Sequence, residues 1–126
     1  MVVKVVDASA LAALLFGEPE AEHVAGRLTD SRLVAPALLQ FELANVYLIK
    51  CRRHPNQNDT LRTAFALRVW MQVEEIAVDH DENLALATAI GLTAYDASYL
   101  WLARRLNAEL VTLDRQLGKA VAKLTQ

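Results

Sequence analysis

Five acidic side chains stand where a carboxylate could do chemistry. Asp7 closes the β-branched run VVKVV (2–6), Asp79 follows EIAV (75–78), and Asp114 follows ELVTL (109–113). Asp96 lies near the start of the helical stretch LTAYDASYLWLA, and Glu42 sits inside ALLQFELANVYLIK (37–50). At about 100° per residue, Glu42 shares a narrow arc with Leu38, Val46 and Ile49, with Asn45 one turn along and the polar arc near Gln40 well away. An ionised carboxylate among apolar neighbours is costly unless it is paired or holds a metal. A pairing partner at a cleft edge, such as a distant Arg, is the plainer alternative. Each Asp taken alone is explained as a helix cap stabilised by the dipole, and Asp79 and Asp81 are read that way. Glu42 is mid-helix, so capping does not account for it.

These acids need a frame that brings them together. VVKVV and RLVA (32–35) read as buried strands, followed by EIAV and ELVTL. Helical runs lie between them: ALAALLF after Asp7, GEPEAEHVAGRLTD (17–30) entered at Pro19, and residues 37–53 closed by Pro55. Further helices run from Asn58-Asp59-Thr60 to about Gln72, from Asp79-His80-Asp81 to Gly91, from Thr93 to Leu106, and from Asp114 to about Lys123. Strands separated by helices predict parallel crossovers and a three-layer α/β/α domain with a short, mostly parallel sheet of four to five strands. In such a sheet all carboxyl ends lie on one edge, where ligands bind, so Asp7, Asp79 and Asp114 are expected there. A helix apolar all round, as 37–50 reads, is expected to be buried.

Composition narrows the function. The 126 residues carry a formal net charge of −2, which predicts one domain, 1–126, and excludes a generic polycation; nucleic-acid contacts would have to come from local clusters. Arg52–Arg53, Arg104–Arg105 and Arg115 with Lys119 and Lys123 are such clusters, although each also reads as a solvated helix face. The apolar share of 54% exceeds the usual ~45–50% and points to surface covered by a partner. LAALLF (11–16) and the 37–49 helix are possible contact surfaces, against the plainer reading that they are core; Trp70 and Trp101 read as core. One cysteine, Cys51, forbids an intrachain disulfide and fits a reducing cytoplasm. Asp7 interrupts the N-terminal apolar run, so no signal peptide is expected, and ALAALLF is too short to cross a membrane. His23, His54 and His80 lack the spacing of a zinc site.

Four segments together, VVDASALAALLFGEPE (5–20), PALLQFELANVYL (36–48), LTAYDASYLWLARRLNAELVTLD (92–114) and the following RQLGKA, resemble a PIN domain, and specifically a VapC-type toxin of a type II toxin–antitoxin pair. The resemblance implies a compact α/β/α nuclease whose acidic quartet falls on Asp7, Glu42, Asp96 and Asp114. Asp7 and Asp96 are then the most direct metal ligands, and Glu42 and Asp114 complete the pocket. Ser9 and Thr112 would orient the carboxylates, and Asn45 either supports Glu42 or is an ordinary hydrogen-bonding residue. The implied cofactor is Mg²⁺, with Mn²⁺ able to substitute in an all-oxygen site. The implied reaction is hydrolysis of RNA phosphodiester bonds by a metal-activated water, leaving 5′-phosphate and 3′-hydroxyl ends. Arg104, Arg105 and Arg115 are RNA-binding candidates because they lie close in sequence to Asp96 and Asp114. The implied partners are RNA, a cognate antitoxin and, by homodimer or toxin–antitoxin hetero-oligomer, further protein chains. The fifth edge strand common in the family is expected to be truncated or absent, since the chain ends at AKLTQ. Two rivals stand beside this reading: a metal-dependent phosphatase, which would want a second Asp where Ser9 stands, and a non-catalytic interaction module whose acids only cap helices.

Overall fold

A computed structural model describes residues 1–124. Four strands run as β1 (Val2–Val6), β2 (Ser31–Ala35), β3 (Glu74–Glu75) and β4 (Glu109–Val111). All pairings are parallel, in the order β3-β2-β1-β4. Seven α-helices connect and flank them: α1 (Ala8–Leu15), α2 (Ala21–Leu28), α3 (Leu38–Arg53), α4 (Asn58–Ala66), α5 (His80–Ile90), α6 (Ala94–Leu106) and α7 (Arg115–Leu124). Helices α1, α2 and α3 pack together, while α6 lies on β1 and β4 with α5 and α7 beside it. The α/β fold expected from the order of elements is therefore the one observed. No helix among the described residues is long and apolar enough to cross a membrane.

The local signals account for most element ends. Thr93 caps α6 by accepting from the Asp96 N–H at 3.1 Å, and Asp79 caps α5 by accepting from the Glu82 N–H at 2.9 Å. Gly91 ends α5 with φ +72°, the left-handed geometry that glycine adopts without steric penalty. The helix expected from 17 to 30 is shorter, because Gly17 at φ +63° ends α1 and Asp30 at φ +57° precedes β2. The helix expected to reach Gln72 is α-helical only to Ala66; a 3₁₀ turn over Leu67–Met71 follows, and Gln72 ends it in the left-handed region.

Two strands are shorter than expected, for one reason: their partners stop. β3 pairs Glu74 and Glu75 with Val34 and Ala35, and the Ile76 N–H donates to the Ala35 carbonyl at 2.9 Å. Pro36 then has no N–H to continue the ladder, so Ala77 and Val78 leave the sheet. β4 ends at Val111, opposite the last residue of β1. Thr112 and Leu113 overhang the edge and turn towards the side chains that follow β1. Four strands are present among the described residues; the last two residues of AKLTQ lie outside them.

The core is built from Val5, Val6, Leu11, Val34, Leu39, Leu43, Tyr99, Leu102 and Val111 on strands and helix faces, with Leu117 of α7 closing it. Each fully buried aliphatic side chain is worth about 1.5–3 kcal/mol of transfer free energy. LAALLF is part of this core. The 37–50 helix is not buried all round: Leu39 and Leu43 point inward while Phe41, Leu48 and Ile49 are exposed. Trp70, expected in the core, is 80% exposed on the 3₁₀ turn, and Trp101 is half-buried with its indole N–H donating to Glu82 at 3.3 Å. Apolar content alone does not say which side of a helix finds a neighbour.

Candidate active site

The strand order reverses between β1 and β4. The chain leaves β1 towards β2 and β3 and returns to the opposite side of β1 only with β4. Asp7 follows β1 and Asp114 follows β4 by three residues, so the two straddle the edge where open parallel sheets place their ligands.

Asp7 is the most enclosed of the acids, 5% exposed. Its Oδ1 accepts from the Ala10 N–H at 3.0 Å, which caps α1, and from the Ser9 hydroxyl at 2.7 Å. Its Oδ2 accepts from the Thr112 hydroxyl. Capping and a role at the site are thus not alternatives for this residue. Ser9 Oγ also accepts from the Leu113 N–H at 2.9 Å, and Thr112 Oγ1 accepts from the Asp114 N–H at 3.0 Å. The two hydroxyls lock the overhang of β4 onto the end of β1. Asp114 caps α7 through the Leu117 N–H at 2.9 Å.

Glu42 reaches this edge from α3, where it lies at the margin of the buried arc centred on Leu39 and Leu43. Its partner is not an arginine. The buried Tyr99 of α6, 1% exposed, donates its phenol O–H to Glu42 Oε1. Tyr99 lies one turn after Asp96, on the same side of α6. The phenol was not among the residues singled out from the sequence; the signal that could have found it is its i+3 spacing from Asp96 in YDASY. Asn45 is exposed and makes no hydrogen bond to Glu42, because it sits on the solvent side of that arc.

The acids sense one another. Burial raises the Asp7 carboxyl above the ordinary range, and the charge of Asp114 adds to this against the bonds from Thr112, Ala10 and Ser9. Burial also raises Glu42, with Asp7, Asp96 and Asp114 contributing, against the bond from Tyr99. Asp96 is raised by burial and then by Asp114 and Asp7. No basic side chain offsets these charges: the ion pairs among the described residues join Lys4 and Arg27 to Glu109, Arg32 to Glu74, and Lys50 to Glu18.

An uncompensated, all-oxygen set of this kind suits a hard divalent cation. Among the described residues no three His, Cys, Asp or Glu side chains converge tightly enough to form a ready-made cage. The two facts concern different ranges, since charge repulsion acts over several ångströms and ligation over about 2 Å. They are compatible with Mg²⁺, which keeps several waters and needs only one or two direct carboxylates.

The three raised carboxyls have a consequence for stability. As pH rises from the ordinary carboxylate range, the unfolded chain loses these protons first, so the folded state binds more protons and stability falls until the raised folded values are passed. Metal-free protein is therefore expected to melt progressively closer to, then below, a variant carrying Asp7→Asn, Glu42→Gln and Asp96→Asn as pH rises from about 4 towards 7. Glu109, held low by Arg27, acts in the opposite sense equally in both proteins. A gap in melting temperature that stays constant across that window would show that the acids are not coupled.

The arginines divide. Arg115 begins α7, next to Asp114. Arg104 and Arg105 lie in the last turn of α6, eight and nine residues beyond Asp96, which is roughly 12–14 Å along the helix axis. They line a separate cleft with Glu82, Leu86 and Trp101 and do not join the acids. α6 runs away from Asp96 over its thirteen residues, so these two arginines stand more than two helical turns from that acid.

A family model described as PIN domain matches residues 4–123. The chain is 33% identical over 121 residues to Ribonuclease VapC3 of Pyrobaculum aerophilum, covering 91% of this chain and 92% of that one. It is 34% identical over 129 residues to Ribonuclease VapC9 of Mycobacterium tuberculosis, covering 96% and 95% respectively. The crystal structure of PAE2754 from Pyrobaculum aerophilum superposes with a TM-score of 0.72 at 26% identity, over 99% of this chain and 91% of that one.

Proposed function

We propose a function from one premise: this chain belongs to the PIN domain family. Its relatives are VapC ribonucleases matched over nearly their whole length, and the chain is a ribonuclease toxin of that type. VapC nucleases are metal-dependent and act within toxin–antitoxin systems, which implies an antitoxin partner for this chain. The finer reading is that Mg²⁺ is the cofactor, with Mn²⁺ able to replace it, and that Asp7, Glu42, Asp96 and Asp114 form the site.

The observation that supports this assignment is the set of three partly or fully buried carboxyls, Asp7, Glu42 and Asp96, each raised first by burial and then by its acidic neighbours, Asp114 among them, with no ion pair to a basic side chain among the described residues. A divalent cation bound there supplies an acidic water at neutral pH and offsets charge on the phosphate. Asp7, fixed by Ser9, Thr112 and the start of α1, serves as a rigid ligand. Asp96 serves as the second, because Thr93 already caps its helix and leaves its carboxylate free of that duty. Glu42 keeps one oxygen on Tyr99 and offers the other to the pocket, as a ligand or to orient the attacking water. Asp114 holds α7 in place and adds negative charge beside Asp7.

The deciding experiment incubates purified, antitoxin-free protein with total RNA, with Mg²⁺ or with EDTA, and maps the cut ends. Cleavage that requires the cation and leaves 5′-phosphates supports the reading; cleavage unaffected by EDTA, or 2′,3′-cyclic ends, rejects the metal-activated water. A companion measurement separates the arginines. Arg115→Ala is expected to raise KM for RNA several-fold with kcat little changed, as loss of one phosphate contact does. Arg104→Ala with Arg105→Ala is expected to leave cleavage at the acidic edge near its original rate. Equal losses from both changes would return Arg104 and Arg105 to the substrate path.

A further inference from the structure

A cleft of about 610 Å³ opens at the carboxyl ends of β2 and β3 and has no part in the proposed catalysis. Its walls come from the start of α3, the overhang after β3, and the first turns of α5 and α6, and include Leu38, Ala77, His80, Asn83, Tyr95 and Ser98. Two of these walls are shared with the acidic site. Tyr95 precedes Asp96 on α6, and Leu38 lies one turn before Glu42 on α3. The lining is mostly apolar with a few polar groups, the usual make-up of a small-ligand site.

One of those polar groups is unsatisfied. Asn83 is 4% exposed, and its Nδ2 donates to the Ala94 carbonyl at 2.9 Å. That bond sets the orientation of the amide, so Oδ1 remains an acceptor. Oδ1 is buried and has no hydrogen-bond partner among the described residues. Buried acceptors are nearly always satisfied, and the exceptions call for a reason. At the mouth, the Tyr95 ring is 66% exposed although it belongs to an otherwise well-packed helix.

We infer that this cleft receives a single unstacked nucleobase of the RNA substrate, with the Tyr95 ring stacking on the base or its neighbour and a small shift of the cleft wall letting a base N–H reach the covered Asn83 Oδ1. The inference rests on the ribonuclease reading and adds to it a specificity site. Three features favour a base over a peptide side chain. The cleft opens at the ends of β2 and β3, on the same carboxyl edge of the sheet as Asp7 and Asp114, it holds an unpaired acceptor in its wall where every base has an N–H edge, and it carries an exposed aromatic at the entrance. Proteins that read single-stranded RNA use these elements: splayed bases, ring stacking and hydrogen bonds to base edges.

The test has two arms. In the first, ¹⁵N-labelled protein is titrated with AMP, GMP, CMP and UMP in turn, and with ribose 5-phosphate as a control that carries no base. At least one nucleotide is expected to shift the Asn83 side-chain amide and the Tyr95 and Ala77 backbone signals, and ribose 5-phosphate is expected to leave them in place. Silence with all four nucleotides, or equal shifts with ribose 5-phosphate, overturns the proposal, as does occupation of these residues by the antitoxin alone. This arm needs neither metal nor cleavage, so it can fail while the ribonuclease reading stands, and the reverse. In the second arm, Ala77→Phe fills the cleft and Tyr95→Ala removes the ring. Both are at exposed positions, and melting temperature checks that they fold. Each is expected to raise KM for RNA about ten-fold, the size of one lost stack, with the Mg²⁺-induced thermal upshift unchanged. An unchanged KM in both variants, with nucleotide shifts present in the first arm, would make the cleft a free-nucleotide site and overturn its assignment to RNA.

Discussion

Asp96→Asn protein is expected to lose RNA cleavage by at least about a hundred-fold, while its metal-free form melts no lower than the parent. The loss follows from the cation's share of the work: activating water and offsetting phosphate charge is worth several kcal/mol, and each 1.36 kcal/mol is a factor of ten in rate. The retained stability follows from the local structure. Thr93, not Asp96, caps α6, and burial and then Asp114 and Asp7 all oppose ionisation of Asp96. Asn keeps the volume and removes the repulsion; what it gives up is a carboxylate's interaction with the helix dipole, about 0.3–1 kcal/mol, and the charge-assisted part of its hydrogen bond with the Thr93 side chain. Mg²⁺ raises the melting temperature of the parent by binding only the folded state, and this upshift is expected to shrink in the variant. Cleavage and melting curves with and without Mg²⁺ read all three effects. A clear fall in the metal-free melting temperature would make Asp96 a structural residue.

Tyr99→Phe should cut kcat by about ten- to a hundred-fold, the cost of losing a residue that orients a metal-site carboxylate, with KM for RNA unchanged. The ring stays in place and continues to fill the core, so the fold survives; Tyr99→Ala, by contrast, empties a fully buried aromatic site at a cost of about 3–5 kcal/mol. What Phe removes is the hydrogen bond that, among the described residues, holds Glu42 at its angle between α3 and α6. Tyr99 is a positioning residue in this account, and the split between kcat and KM distinguishes that role from a general loss of structure. Full kcat in Tyr99→Phe, with an unaltered Mg²⁺ upshift, would show that Glu42 needs no such support.

The corrections to the site have a common shape. Asn45 was placed with Glu42 because they share part of a helix wheel, but the wheel does not say which arc meets the core. Leu39 and Leu43 are the residues that meet it, and this turns Asn45 to solvent and leaves Glu42 at the boundary. Arg104 and Arg105 are RNA-binding candidates on their closeness in sequence to Asp96 and Asp114. The thirteen-residue helix α6 sets them more than two turns from Asp96, where they line a cleft with Glu82 and Trp101. Trp70 follows a helix that ends early, and the 3₁₀ turn directs its ring outward.

What the sequence determined by itself is what short-range forces decide. The β-branched run of β1, the cap at Asp79, the start of α6 at Thr93 and the stop at Gly91 depend on neighbours within a few residues, and they were legible. The alternation of strands and helices was enough to set a parallel sheet and to send Asp7 and Asp114 to one edge of it. Only the tertiary structure decided the strand order that makes β1 and β4 adjacent, the length of β3 against a partner that proline follows, and the meeting of Tyr99 with Glu42 fifty-seven residues away. Those outcomes depend on contacts between surfaces distant in the chain, where packing selects one face among several of nearly equal apolar character. No window of local sequence contains that comparison.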